Sequence, residues 1–137
     1  MDDTQLFRTL GAISRKATTS ANQQVKPYGL DNNLFQYLMR IVENEGITQV
    51  ELTNLIKVDK TTLSRALQKL ERHGYLVKVP NPTNKKYKLL YPTDSGREVY
   101  NQLYQVEQGI IKQALRPLTP TDRIQLATLL QKISASL

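Results

Sequence analysis

The sequence predicts a mainly α protein with one small β-hairpin, and three features predict it. Apolar residues recur at three- and four-residue spacings in six successive segments, the signature of amphipathic helices. Only one stretch, Tyr75 to Tyr91, alternates and is rich in β-formers. The net charge of +7 is local: Lys57 to Lys88 holds nine basic residues against Asp59 and Glu71, and the rest of the chain balances.

In the first helix Leu6, Leu10, Ile13, Ala17 and Ala21 share one face, and Lys26-Pro27-Tyr28-Gly29 punctuates its end. Asp31 is the expected N-cap of a second helix that turns Leu34, Leu38, Ile41 and Val42 inward and closes near Asn44 to Gly46. Thr48 with Glu51 makes a capping box, so a short third helix starts there and buries Val50, Leu52, Leu55 and Ile56. After the turn at Lys57-Val58, Asp59 caps a fourth helix running to about His73, with Gly74 at C′.

Leu63, Ala66, Leu67 and Leu70 form the buried stripe of the fourth helix. Lys60, Thr61, Ser64, Arg65, Gln68, Lys69 and Arg72 remain outside, a face of hydrogen-bonding and cationic groups only. Tyr75 to Val79 and Tyr87 to Tyr91 are the hairpin strands, and Pro80 to Lys86 is a basic tip. Thr93-Asp94 opens a long helix with Val99, Leu103, Val106, Ile110 and Ala114 on one side, ending before Pro117. Thr119 followed by Pro120 opens a last helix, since Pro suits the first helical position. Leu126, Leu129, Leu130, Ile133 and Leu137 are its seam.

The order of a capped short helix, a tight connection, a helix with a polar and cationic face and a lysine-tipped hairpin is that of a winged helix-turn-helix. One α-helix fits a DNA major groove, where exposed side chains reach base edges while flanking cations hold phosphates. The fourth helix is then the reader. Arg65 is the leading base-contact residue, because its guanidinium can donate two parallel hydrogen bonds to guanine; Lys69 is a second. Thr61, Thr62 and Ser64 near the helix start suit phosphates, bases or a thymine methyl, or plain capping. A basic stripe fits a polyanion, although a solvated lysine-rich surface carries the same charge.

Such a core needs only about residues 30 to 95 of this single 137-residue unit. The stripes on residues 1–25 and 94–137 are therefore expected to cover each other across a two-fold axis, making these dimerisation helices, or to form a helical cap on a monomer. A symmetric dimer presents two readers to a pseudo-palindromic double-stranded operator.

Other classes have less support. The chain lacks cysteine, which removes disulfides and thiolate metal sites and fits a reducing compartment, so cytoplasm is the expectation. The first ten residues lack the basic and apolar regions of a signal peptide, no apolar run is long enough to span a membrane, and a soluble protein is expected. No nucleophile elbow, phosphate-binding loop, zinc-protease or dinucleotide motif is present, so neither an enzyme nor a cofactor is expected. One histidine, His73, supplies too few ligands for a metal and suits the C-terminal dipole of the fourth helix. The remaining alternative keeps the winged fold as a protein-interaction or RNA-binding module.

Nearly the whole chain resembles the MarR family of bacterial regulators. The likeness is carried by the terminal helices, by Val58-Asp59-Lys60-Thr61-Thr62-Leu63-Ser64-Arg65, by Leu70-Glu71-Arg72-His73-Gly74-Tyr75-Leu76, and by Leu90-Tyr91-Pro92-Thr93-Asp94-Ser95-Gly96 leaving the hairpin. The resemblance implies a transcriptional repressor. It also implies a wing-tip Asp-x-Arg that inserts into the minor groove, where this chain has Asn84-Lys85-Lys86. Lys86 keeps the charge of that arginine but lacks its planar fork and carboxylate partner. A small-molecule effector between the dimer helices and the reader domain is implied too, with Tyr28, Phe35 and Tyr37 as the residues expected near it.

Overall fold

The computed structural model describes residues Met1–Leu137. Helix α1 (Asp3–Val25) leads through a 3-10 turn (Lys26–Tyr28) to α2 (Leu34–Glu43), strand β1 (Ile47–Thr48), α3 (Gln49–Ile56) and α4 (Lys60–Arg72). Strands β2 (Leu76–Pro80) and β3 (Lys88–Pro92) follow, then α5 (Asp94–Leu115) and α6 (Pro120–Ser136). The sheet is antiparallel in the order β1-β3-β2, with Ile47 opposite Leu90 and Lys78 opposite Leu90 on its other side.

A single core cluster of 19 buried apolar residues runs through α2, α3, α4, the sheet and the adjoining parts of α1 and α5. Ala21 and Val25 enter it from α1, and Val99 and Leu103 from α5. No charged side chain is buried, and the Tyr37 phenol is the one hydroxyl-bearing side chain in the core. The far parts of the long helices behave differently: Phe7 and Ile13 of α1 and Ile124 and Leu129 of α6 are more than half exposed, and α6 buries no residue at all. The expected stripes on these helices therefore lie open in the single chain.

The expected starts at Thr48, Asp59, Thr93 and Thr119 hold, each side chain capping its helix. Thr48 with Glu51 and Thr119 with Asp122 make reciprocal capping boxes, as Asp2 with Gln5 does at the start of α1, for which the sequence carried no expectation. At the end of α4 the Tyr75 N–H donates to Leu70 O (3.0 Å) and the Gly74 N–H to Glu71 O (2.9 Å). That is a complete Schellman motif, with Gly74 at φ +76° where a side chain would be strained.

Four expectations are corrected. Asp31 does not cap α2; the helix starts at Leu34 after Asn32 and Asn33, both left-handed (φ 57° and 67°). This geometry is held from a distance by Asn22 of α1, whose amide donates to Asn33 Oδ1 (2.9 Å) and accepts from Asn33 N (3.0 Å). Val50 and Leu55 of α3 are not buried but half exposed, whereas Leu52 is completely buried. Eight residues make little more than two turns, so α3 offers one narrow inner face. Both hairpin strands start one residue later than expected: the Tyr75 backbone is already engaged in ending α4 and in accepting from Thr93 N (3.0 Å), and the Tyr87 N–H donates to Asn84 O in the turn (3.2 Å). Strand β1 was not expected at all.

Candidate nucleic-acid interface

The α4 surface is built by its N-cap. Asp59 Oδ1 accepts from the Thr62 N–H (2.8 Å), and Oδ2 from the Thr62 hydroxyl (2.6 Å). These bonds, the hydroxyl's foremost, hold the Asp59 carboxyl below the usual carboxylate range. With Leu63, Ala66, Leu67 and Leu70 turned into the core, Thr61, Arg65, Gln68 and Arg72 fall on a common outward stripe, and Lys60 and Lys69 flank it. The side chains of Lys60, Thr61, Arg65, Gln68 and Lys69 are exposed and make no hydrogen bond or ion pair within the chain.

Two expected reader residues are placed differently. The Thr62 hydroxyl serves the N-cap, as above. Ser64 is half-buried, and its Oγ accepts from Gln49 Nε2 of α3 (2.6 Å). That contact bridges the two helices and has no local sequence signal, since the partners are 15 residues apart.

The wing tip is ordered by its own polar side chains. Asn81 Oδ1 accepts from the Thr83 N–H (3.0 Å) and hydroxyl (2.9 Å), and Asn84 Oδ1 accepts from Lys86 N (3.1 Å). Asn84 thus shapes the turn that presents Lys86, whose ammonium lies 5.7 Å from the Tyr87 ring centroid. Lys85 is exposed at the apex. Of the nine cations between Lys57 and Lys88, only Lys78 is paired, to Glu71 (3.1 Å), a bond that ties β2 to α4. The other eight make no ion pair within the chain. Unpaired cations at this density repel one another, and a polyanion relieves that repulsion.

A cavity of about 450 Å³ lies where α1, α2, α3 and α5 meet. Phe35 lines it together with Ala21, Leu55, Ile110, Arg40 and Glu107. Tyr28 and Tyr37 do not, contrary to expectation. Tyr37 is two residues from Phe35, about 200° around the helix, and packs into the core; burial, and then the Asp59 charge, push its phenol upward. Tyr28 sits in the 3-10 turn, where its carbonyl accepts from the Tyr75 hydroxyl (2.8 Å). Sequence reasoning missed Arg40 and Glu107, whose 3.6 Å pair at the cavity joins two helices far apart in sequence. No three His, Cys, Asp or Glu side chains converge as a metal site would require, and no helix is long and apolar enough to cross a membrane.

A helix-turn-helix whose second helix presents only polar and cationic groups, flanked by a three-stranded sheet with a lysine-bearing wing, defines a winged helix-turn-helix protein. Residues 28–86 match the sequence family described as MarR family. The HTH-type transcriptional regulator YybA of Bacillus subtilis is 37% identical over 128 residues, 93% of this chain and 85% of that protein. The multiple antibiotic resistance protein MarR of Escherichia coli is 29% identical over 93% of this chain and 90% of its own length. Among solved structures, a putative MarR family transcriptional regulator from Listeria monocytogenes, complexed with a 26mer DNA, superposes with a TM-score of 0.93 at 35% identity, covering 99% of this chain and 89% of that one. The chain belongs to the MarR family of transcriptional regulators. These relatives are regulators, not enzymes.

Proposed function

We propose that this regulator is a homodimer that reads a pseudo-palindromic double-stranded operator and represses the promoter carrying it. The observation that carries the reading is the unpaired state of the cations on α4 and the wing. Arg65 and Lys69, with Gln68 and Thr61, take base edges in the major groove; Lys60, Lys85 and Lys86 take phosphates, with Lys86 at the minor groove. The residues bonded inside the chain, Thr62, Ser64 and Asn84, set the position of these contacts. The DNA complex of the Listeria regulator supports the assignment of partner. The open apolar side chains of α1 and α6 support the dimer, because a second copy is the symmetric way to cover both ends of the chain at once.

The cavity at Phe35 has a volume within the range of small-molecule sites, and it touches both the terminal helices and α3 of the reading head. An effector bound there shifts the head relative to the dimer helices and releases the operator.

Selection of duplexes from a random DNA pool at two salt concentrations tests the reading. The expected result is a two-fold-symmetric motif, bound with a log-log salt slope of about −5 to −9 if roughly six to ten phosphates are contacted. Absence of a motif, a shallow slope or a preference for single strands would overturn it, in favour of an RNA-binding or protein-interaction role.

A further inference from the structure

Three parts of the chain meet at Tyr75, immediately beyond the end of the reader helix. Its backbone N–H completes the C-terminal cap of α4, and its carbonyl accepts from Thr93 N at the start of α5 (3.0 Å). Thr93 adds a second bond, its hydroxyl donating to Gly74 O (2.6 Å) while accepting from Gly96 N (3.0 Å). The approach is so close that a Cβ at Gly96 would overlap the Tyr75 carbonyl oxygen. The Tyr75 hydroxyl reaches the other way, donating to Tyr28 O in the turn after α1 (2.8 Å), and its ring stacks on His73. One residue is therefore bonded to the reader helix, to α5 and to the end of α1.

Val99 and Leu103 of α5 also pack into the buried core farther along that helix, while the other polar ties between the reading head and α5 are softer. Arg40 to Glu107, Tyr100 to Glu43 and Arg97 to Glu45 are exposed or half-exposed side-chain contacts. Such contacts stretch and re-form easily, whereas backbone in van der Waals contact does not.

We infer that Tyr75, held against Thr93 and Gly96, is the pivot that fixes the angle of α4 to the long terminal helices and thereby the half-site spacing the protein accepts. These are positioning residues, and the inference rests on the dimeric operator reading above. The lever is long: α4 has 13 residues, about 20 Å, and the pivot is at its C-terminal end while Lys60, Thr61 and Arg65 are toward the other. A rotation of about 10° at Tyr75 moves the reading end by roughly 3.4 Å, one base step along a DNA strand. In a two-fold dimer both readers move, so a small loosening at the pivot changes spacing by one to two steps.

The experiment measures binding to a series of duplexes carrying the selected half-sites at stepwise-varied separation, together with thermal stability, for the wild type, Gly96→Ala, Tyr75→Phe and the pair Thr93→Val and Thr93→Ser. The wild type is expected to show one sharp spacing optimum. Tyr75→Phe removes a single hydrogen bond and is expected to fold, to lose about 3- to 10-fold at the optimum, and to gain relative affinity at neighbouring separations. Thr93→Val should broaden the profile likewise and Thr93→Ser restore it, because serine keeps both hydroxyl bonds. Affinity for an isolated half-site should be unchanged in Tyr75→Phe. If the wild type lacks a spacing optimum, the dimeric operator reading fails and the pivot with it. If the wild type has one and Tyr75→Phe and Thr93→Val share its profile, the pivot alone is overturned, whether or not Gly96→Ala folds.

Discussion

Arg65 and Lys86 are both free cations, yet they are expected to do different things. Arg65 stands on the outward stripe of α4, where a bidentate bond to guanine discriminates by about 1–3 kcal/mol. Arg65→Ala is expected to flatten preference at one position of each half-site in a binding-site selection. Lys86 is presented by the Asn84 turn at the wing, and Lys86→Ala is expected to weaken all duplexes alike and reduce the salt slope by about 1. Equal losses on every sequence from both changes would remove that distinction. Tyr100 offers a residue-scale test of the α2–α5 contact. Burial first, and then its bond to Glu43 (2.7 Å) and the charge there, raise its phenol from 10.0 to about 12. The folded pKa is above the unfolded one, so its contribution to stability is complete below pH 10 and is lost as pH climbs through about 12. Difference titration of tyrosinate absorbance between the wild type and Tyr100→Phe should isolate one phenol ionising near the upper value; a transition in the ordinary tyrosine range would refute the contact.

Among the elements, α3 gives the clearest contrast. Leu52 is completely buried, and Leu52→Ala is expected to cost about 2–5 kcal/mol in chemical denaturation. Leu55 is half exposed at the cavity, so Leu55→Ala should cost far less, and comparable losses would contradict the placement of α3. The same helix shows where sequence pattern stops being informative. Its capping box was legible because both partners lie within one turn, but which of its apolar residues face inward depends on neighbours from α2 and α4. Strand β1 has two residues and exists only because Leu89 and Leu90, far along the chain, pair with them. The start of α2 follows the same logic, as the Asn22–Asn33 clasp spans 11 residues and overrides the nearer Asp31. The α4 stripe and basic tip were legible because charge and period are local properties. Ser64's partner, the Arg40–Glu107 pair and the cavity residues were not, because each joins elements that only the fold brings together.

For the molecule as a whole, the proposed dimer is tested most directly at α6. It buries nothing in the single chain, and Leu129 and Leu130 are 54% and 41% exposed. Glutamate at both positions is expected to convert a dimer to a monomer in sedimentation equilibrium and to abolish the advantage of two half-sites over one, while the reading head, which α6 does not help to bury, keeps its helix content. A variant that stays dimeric would place the interface elsewhere.

The confinement of the net charge of +7 to Lys57–Lys88 has a kinetic corollary. With the rest of the chain balanced, the excess positive charge is carried by α4, the turn before it and the hairpin, so the charge is unevenly distributed as well as positive. In the field of a nucleic acid it experiences a torque that turns the cationic side forward before contact, so that fewer collisions are wasted on unproductive orientations. Steering of this kind raises association rates by about 10- to 1,000-fold and fades as salt screens the field. Capture of DNA by this regulator should therefore be fast in dilute buffer and slow markedly with added salt, even on duplexes that lack its operator.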